Sequence, residues 1–144
     1  MTPPRPVLQA LWVLHRAVNR LTRGRIGTRE ARGDRLGTLF LHTVGRRTGQ
    51  PRATALFYMP DGGDVVVVAS NGGSETDPAW WRNLRDQPDA EVEVGGRRRS
   101  VHARAATADE GDRLWPRLVA ANPAYASYRS RLFRPIPIVI LEPR

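Results

Sequence analysis

The chain has 144 residues, 40 % of them hydrophobic, carries a formal charge of +9 and contains no cysteine. That length suits one domain with a single core, and the lack of cysteine excludes disulfides, thiolate nucleophiles and cysteine-ligated metals. All 23 basic residues are arginine, and so positive a chain favours an anionic partner: nucleic acid, acidic lipid or a polyanionic small molecule.

Residues 1–6 form a proline-rich lead-in, after which Val7, Leu8, Leu11, Leu14, Val18 and Leu21 recur at helical spacing, with Trp12 and Val13 widening the stripe. Arg16, Arg20, Arg23 and Arg25 gather toward its end, where cations suit the helix dipole. The run is shorter than the roughly 20 apolar residues a bilayer span needs, and it lacks the small-residue cleavage site of a secretory signal. Two readings stay open for it: an amphipathic helix lying on an anionic membrane surface, or one packed on its own domain. Residues 24–37 are glycine- and charge-rich, a connection of some freedom.

The stretch 39–58, LFLHTVGRRTGQPRATALFY, predicts strand, basic loop, strand. Gly45 and Gly49 bracket Arg46, Arg47 and Thr48, and loop N–H groups beside an arginine fork make a receptor for phosphate or carboxylate. The alternative is a solvated hairpin loop with two arginines on it. Residues 60–64 (PDGGD) are a turn, and 65–70 (VVVVAS) a continuous apolar strand buried on both faces. Asn71-Gly72-Gly73-Ser74 then breaks the strand, either for close approach of backbone to a ligand or for a tight turn alone.

Asp77-Pro78 predicts an N-cap and first helical residue for a helix over 79–87, with Trp80 and Trp81 in its first turn and Pro88 stopping it. Residues 91–94 and 100–105 alternate across Gly95-Gly96, a hairpin signal, with Arg97-Arg98-Arg99 as a solvent-facing shoulder. Thr107 and Glu110 form a capping box that opens a helix to about residue 121. Pro116 should kink that helix or mark its true first turn. A short helix or turn over 125–133 puts Tyr125 and Tyr128 on one face. A last strand over 136–141 carries Pro137, which predicts an edge position for its start.

Five or six strands linked by short turns, with three or four helices, argue an antiparallel sheet or small barrel and not a Rossmann unit. No phosphate-binding glycine motif, Ser-His-Asp set or carboxylate pair is present. His15, His42 and His102 lack metal-ligand spacing, and no zinc-finger spacing or aromatic-interleaved basic run points to nucleic acid. A cofactor that brings its own chemistry is the natural alternative to side-chain catalysis.

Four segments in register carry a resemblance: Thr43-Val44-Gly45-Arg46-Arg47-Thr48-Gly49-Gln50-Pro51-Arg52; Val68-Ala69-Ser70-Asn71-Gly72-Gly73; Asp77-Pro78-Ala79-Trp80-Trp81-Arg82-Asn83-Leu84; and Pro123-Ala124-Tyr125-Ala126-Ser127-Tyr128. With the closing Ile136-Pro137-Ile138-Val139-Ile140-Leu141, they resemble the deazaflavin-dependent nitroreductase family over most of residues 38–143. The resemblance implies an α+β, mainly β fold: an antiparallel split β-barrel of the flavin reductase kind with flanking helices. On that reading residues 1–37 are an N-terminal helix and connection, and 38–144 the coenzyme-binding barrel. It also implies reduced coenzyme F420 as hydride donor, with FMN as the alternative cofactor, and quinones, nitroaromatics or other activated molecules as acceptors. No metal and no nucleic-acid partner is expected. The protein would be a cytoplasmic monomer or homodimer, touching the inner face of an anionic membrane, if at all, through its first helix.

Carried over by position, the resemblance puts the coenzyme's phosphate and acidic tail against Arg46, Arg47, Thr48, Gly49 and Arg52. Ala53, Thr54, Ala55, Leu56, Phe57 and Tyr58 on one side, and Ala69, Ser70, Asn71 and Gly72 on the other, line the ring and linker. Trp80, Trp81, Arg82, Asn83 and Leu84 lie beside the coenzyme, and Tyr125, with Tyr128 as second candidate, acts on the substrate side as the catalytic residue. Ala55 stands where proline is usual, Trp81 where tyrosine is common and Asn122 where an aromatic occurs; the last two bear on substrate choice. A coenzyme ending in phosphate and glutamates is a polyanion, which suits arginines on the central loop. Two other functions remain: a coenzyme- or flavin-binding module with little turnover, and a basic protein that binds nucleic acid or a membrane surface.

Overall fold

A computed structural model describes residues 28–144, so the helix expected over 7–21 lies outside the described residues. Six strands form a barrel: β1 (Gly37–Val44), β2 (Pro51–Asp61), β3 (Asp64–Val68), β4 (Asp89–Val94), β5 (Arg97–Ala105) and β6 (Ile138–Pro143). Three α-helices accompany them: α1 (Ala79–Asp86), α2 (Ala108–Ala121) and α3 (Ala124–Arg131). The strands close in the order β1-β2-β3-β6-β5-β4, every pairing antiparallel.

Period-two alternation decides what enters the barrel. Leu39 and Leu41 of β1, Val92 of β4, Val101 and Ala103 of β5, and Val139 and Leu141 of β6 are buried in one cluster with Val65 and Val67. Trp80, Trp81 and Leu84 of α1 join that cluster, so α1 seals part of the barrel interior. The opposite faces of β3 and β6 present Val66, Val68, Ile138 and Ile140 to a second cluster, with Leu114 and Leu118 of α2 and Tyr125 of α3. This is why 65–68 and 138–141 are unbroken apolar runs: each strand is covered on both sides.

Several local features differ from expectation, each for a physical reason. Pro137 does not mark an edge; it precedes β6, which pairs with β3 on one side and β5 on the other, and its carbonyl accepts from Ala69 N at 2.9 Å. Arg97–Arg99 belong to β5 and not to a shoulder, because Gly95 and Gly96 at φ 59° and 82° turn the chain in two residues. Asp77 does not cap α1; Pro78 holds that position and the Asp77 carboxylate accepts from Arg134 and Arg85 instead. The capping box is present: Glu110 N donates to Thr107 Oγ1 at 3.2 Å and Thr107 N to Glu110 Oε1 at 2.9 Å. Capped in this way, α2 runs on through Pro116. The described part of the 24–37 connection is tied down: Arg29 bridges Thr38, and Ala31 N donates to the Tyr58 hydroxyl at 3.0 Å.

Candidate active site

The barrel is closed at one end of β2 only. Met59, Pro60 and Asp61 pair with β3, whereas residues 51–58 pair with β1 alone. Backbone groups along that stretch therefore face a gap, and the gap is a cleft of about 800 Å³. Its walls are the β1–β2 loop with Thr43, Gly45, Arg46, Arg47 and Thr48; the β2 edge from Arg52 to Leu56; Val68, Ser70, Asn71 and Gly72 after β3; and Pro78, Ala79, Trp80 and Asn83 at the start of α1.

The β1–β2 loop keeps its shape by hydrogen bonds within itself and to α1. Gly45 N donates to Gln50 O and Gly49 N to Gly45 O, each at 2.8 Å. Gln50 N and Arg52 Nη2 donate to Thr48 Oγ1 at 3.2 and 3.5 Å. Asn83, 5 % exposed, accepts from both Arg46 N at 3.1 Å and Arg46 Nη1 at 3.2 Å, and donates from Nδ2 to Thr43 Oγ1 at 3.5 Å. A buried amide so placed fixes the loop's entry angle. Arg47 is exposed beside it with no side-chain hydrogen bond or ion pair to another described residue. The loop thus offers one guanidinium restrained by the protein and one available to an anion.

On the facing wall a single turn of 3₁₀-helix, Asn71–Gly73, follows β3. Asn71, Gly72 and Gly73 have φ of 48°, 61° and 84°. The two glycines serve different ends. A Cβ on Gly72 would meet nothing within 4 Å, so its backbone is bare toward the cleft, whereas one on Gly73 would lie 2.7 Å from Tyr128 Cδ1 and 2.5 Å from Arg131 Nη2. Gly73 lets α3 pack close; Gly72 leaves room for a ligand.

Of the residues expected to hold a coenzyme, the structure brings Arg46, Arg47, Thr48, Arg52, Ala53, Thr54, Ala55, Leu56, Ser70, Asn71, Gly72, Trp80 and Asn83 to the cleft. Gly49, Phe57, Tyr58, Ala69, Trp81, Arg82 and Leu84 are not among its lining residues. Tyr58 is buried in the barrel cluster at the last position before β2 meets β3, and Trp81 and Leu84 are core residues on the inner side of α1. Phe57, half exposed, stands on the outer face of β2.

Tyr125 and Tyr128, expected on the substrate side, lie in the helix-side cluster. Tyr125 is 5 % exposed in the helix-side cluster, its hydroxyl paired with the Asn122 side chain, and burial pushes its phenol above the ordinary range. Tyr128 packs against the same cluster with Arg131 over its ring at 5.7 Å. Neither lines the cleft. Sequence spacing placed both on one face of α3 but carried no sign of whether that face meets the core or a ligand. Thr43, Gly45, Val68, Pro78 and Ala79 line the cleft and were not anticipated. Thr43 is the informative case, since a polar residue at the inward register of an apolar strand needs a partner, here Asn83.

The wall chemistry is one-sided. Among the described residues the cleft's titratable side chains are all arginines, with no carboxylate, histidine or tyrosine in its lining. A long anion with a flat, weakly polar ring fits this set: guanidiniums at one end, Ala53 to Leu56 along one wall and Trp80 at the foot. Among the described residues no group of three or more His, Cys, Asp or Glu is placed to hold a metal.

A family model described as F420H(2)-dependent quinone reductase matches residues 12–143. An F420H(2)-dependent quinone reductase of Mycobacterium tuberculosis (strain H37Rv) is 44 % identical over 135 residues, which cover 91 % of this chain and 89 % of the relative. Among solved structures, an F420-H2 dependent reductase superposes with a TM-score of 0.67 at 30 % identity, covering 73 % of this chain and 93 % of the other. A second, described as a domain-swapped dimer, gives 0.71 at 27 % identity over 93 % and 99 % of the two chains.

Proposed function

The chain belongs to the F420H(2)-dependent quinone reductase family, and we propose that the cleft between β2, the turn after β3 and α1 is where it holds reduced coenzyme F420 and delivers a hydride to a quinone. The observation that carries this placement is the conjunction, in one cleft, of the basic β1–β2 loop, the unpaired edge of β2 and the bare backbone of Gly72. When bound, the coenzyme supplies the hydride. The protein's part is to bind, orient and restrict solvent.

Arg47 and Arg52 take the anionic end, as charge-assisted donors. Asn83 holds Arg46 and with it the loop backbone, which keeps the exposed Arg47 beside the cleft. The outward-pointing N–H and C=O groups of alternate residues among 53–56 supply hydrogen bonds along the ring's polar edge, and Leu56, Val68 and Trp80 give it apolar contact. Among the described residues the cleft lining has no carboxylate, histidine or tyrosine, and water at the cleft mouth is the proton source for completing quinone reduction. Nitroaromatics, which also accept hydride before a proton, are proposed as alternative acceptors.

The test is a titration of the purified protein with oxidised coenzyme F420, FMN and duplex DNA, following coenzyme and tryptophan fluorescence. Trp80 in the cleft wall should report saturable binding of the deazaflavin, with FMN and DNA weaker. DNA as the tightest of the three would replace this reading with the nucleic-acid one. Menadione added to the complex with reduced coenzyme should reoxidise it; binding without turnover would leave a coenzyme-binding module.

A further inference from the structure

Arg134 lies in the connection between α3 and β6, more than fifty residues along the chain from every residue that lines the cleft, and its side chain is 11 % exposed. Its guanidinium is spent almost wholly on segment 69–77. Nε donates to Ser74 O at 2.8 Å, Nη2 to Ser70 O at 2.9 Å, and Nη1 to Ala69 O at 3.2 Å and to Asp77 Oδ1 at 3.0 Å. A further contact, Nη1 to Pro135 O at 3.2 Å, ties it to its own backbone.

These acceptors stand on both sides of the left-handed turn 71–73. Ser70 O is also the acceptor for Gly73 N at 2.9 Å, and Ser74 N donates to Asn71 O at 3.1 Å. The turn's own bonds are thus few, and Asn71 is in a conformation that non-glycine residues disfavour. Besides Asn71 Nδ2 on Thr76 O at 2.9 Å, the ties come from outside the segment: Arg134 from one rigid fork, with Phe133 N on the Glu75 carboxylate at 3.2 Å as a neighbouring tie.

We propose that Arg134 is a positioning residue for the coenzyme cleft: it clamps the carbonyls flanking turn 71–73 so that Ser70, Asn71 and Gly72 stand at the spacing from β2 that the coenzyme requires. The role rests on the cleft assignment above. Only a planar guanidinium reaches carbonyls on both sides of the turn and the Asp77 carboxylate at once; the single ammonium of lysine does not.

The experiment compares wild type, Arg47→Ala, Arg134→Ala and Arg134→Lys in titrations with oxidised coenzyme F420, alone and with millimolar guanidinium or ammonium chloride. Circular dichroism and cooperative melting identify the folded variants. Arg134→Ala should bind roughly 10-fold or more weakly, and guanidinium should restore much of that loss where ammonium at equal ionic strength does not. Arg134→Lys should fall between wild type and the alanine variant. With menadione as acceptor, KM for the reduced coenzyme should rise by more than kcat falls. If Arg134→Ala does not fold, Arg134→Lys decides, and wild-type affinity in the lysine variant overturns the role. Loss that guanidinium fails to restore in a folded Arg134→Ala protein also overturns it. Wild-type binding with Arg47→Ala weakened and both Arg134 variants unchanged removes this role alone; wild type failing to bind removes the cleft assignment and the role with it.

Discussion

Arg46 and Arg47 are adjacent in the chain and differ in what holds them. Arg46 is bonded through its backbone and its guanidinium to one oxygen of Asn83, while Arg47 stands exposed at the cleft rim. Removing Arg47 should therefore leave the fold alone and cost binding: Arg47→Ala is expected to weaken coenzyme F420 by about 1.5–3 kcal/mol, roughly 10- to 150-fold, if a charge-assisted bond is lost. Fluorescence titration measures this, and unchanged affinity with unchanged melting temperature would place the coenzyme's anionic end elsewhere. Tyr125 gives the opposite expectation. Its hydroxyl meets Asn122 within a packed cluster, so Tyr125→Phe should lower stability by about 0.5–1.5 kcal/mol, the net worth of one hydrogen bond. Single-turnover oxidation of the reduced coenzyme by menadione should stay near the wild-type rate. A slowed rate with unaltered melting would return the phenol to the reaction.

At the scale of elements, the joint between β5, α2 and β6 is governed by one charge cluster. Arg104 donates to both oxygens of Glu110, at 2.6 and 2.8 Å, and to Glu142 at 3.1 Å. The Arg104 guanidinium, followed by the Thr107 backbone N–H, holds the Glu110 carboxyl down from 4.5 to about 2. A carboxyl depressed in the folded state contributes stability that is complete above its unfolded value and is lost as pH falls through the folded one. Glu110→Gln should therefore flatten the loss of stability between pH about 4.5 and about 2 while lowering stability at neutral pH, as followed by denaturant melts across that range. Identical acid slopes would mean the cluster is screened to insignificance. The capping half of this joint was legible in Thr107 and Glu110, because a capping box is a local pattern with fixed spacing. The same holds for the strands, whose apolar runs and glycine turns announce themselves, and for the basic loop, whose residues are contiguous. Arg134 was not legible: its four acceptors in segment 69–77 lie 57 to 65 positions away, three of them are backbone carbonyls, and nothing in an Arg-Pro dipeptide records them. The inner and outer faces of α3 were undecided for a related reason, since two tyrosines three apart share a face whichever way it turns.

For the molecule as a whole, a charge of +9 and a cleft whose titratable groups among the described residues are all arginines raise the question of whether attraction to an anionic coenzyme is general or local. Ionic strength separates the two. Exposed charges more than a Debye length apart are screened, and that length shrinks from about 10 Å at 0.1 M to about 3 Å at 1 M salt. Coenzyme affinity should fall as sodium chloride rises, both through the long-range field and through Arg47 and Arg52 at the exposed rim. If the general field dominates, removing two of 23 arginines hardly alters the slope of log Kd against log salt. If contact at the loop dominates, the Arg47→Ala/Arg52→Ala double variant should bind weakly with a clearly shallower slope. The geometry favours the second outcome, because Arg47 and Arg52 stand at the cleft itself, whereas Arg98, Arg104, Arg113, Arg117 and Arg134 are held by Glu91, Glu110, Asp61 and Asp77. What is left facing the cleft is the loop. A parallel pair of slopes for wild type and double variant would assign the attraction to the whole surface and take the coenzyme's anionic end off Arg47 and Arg52.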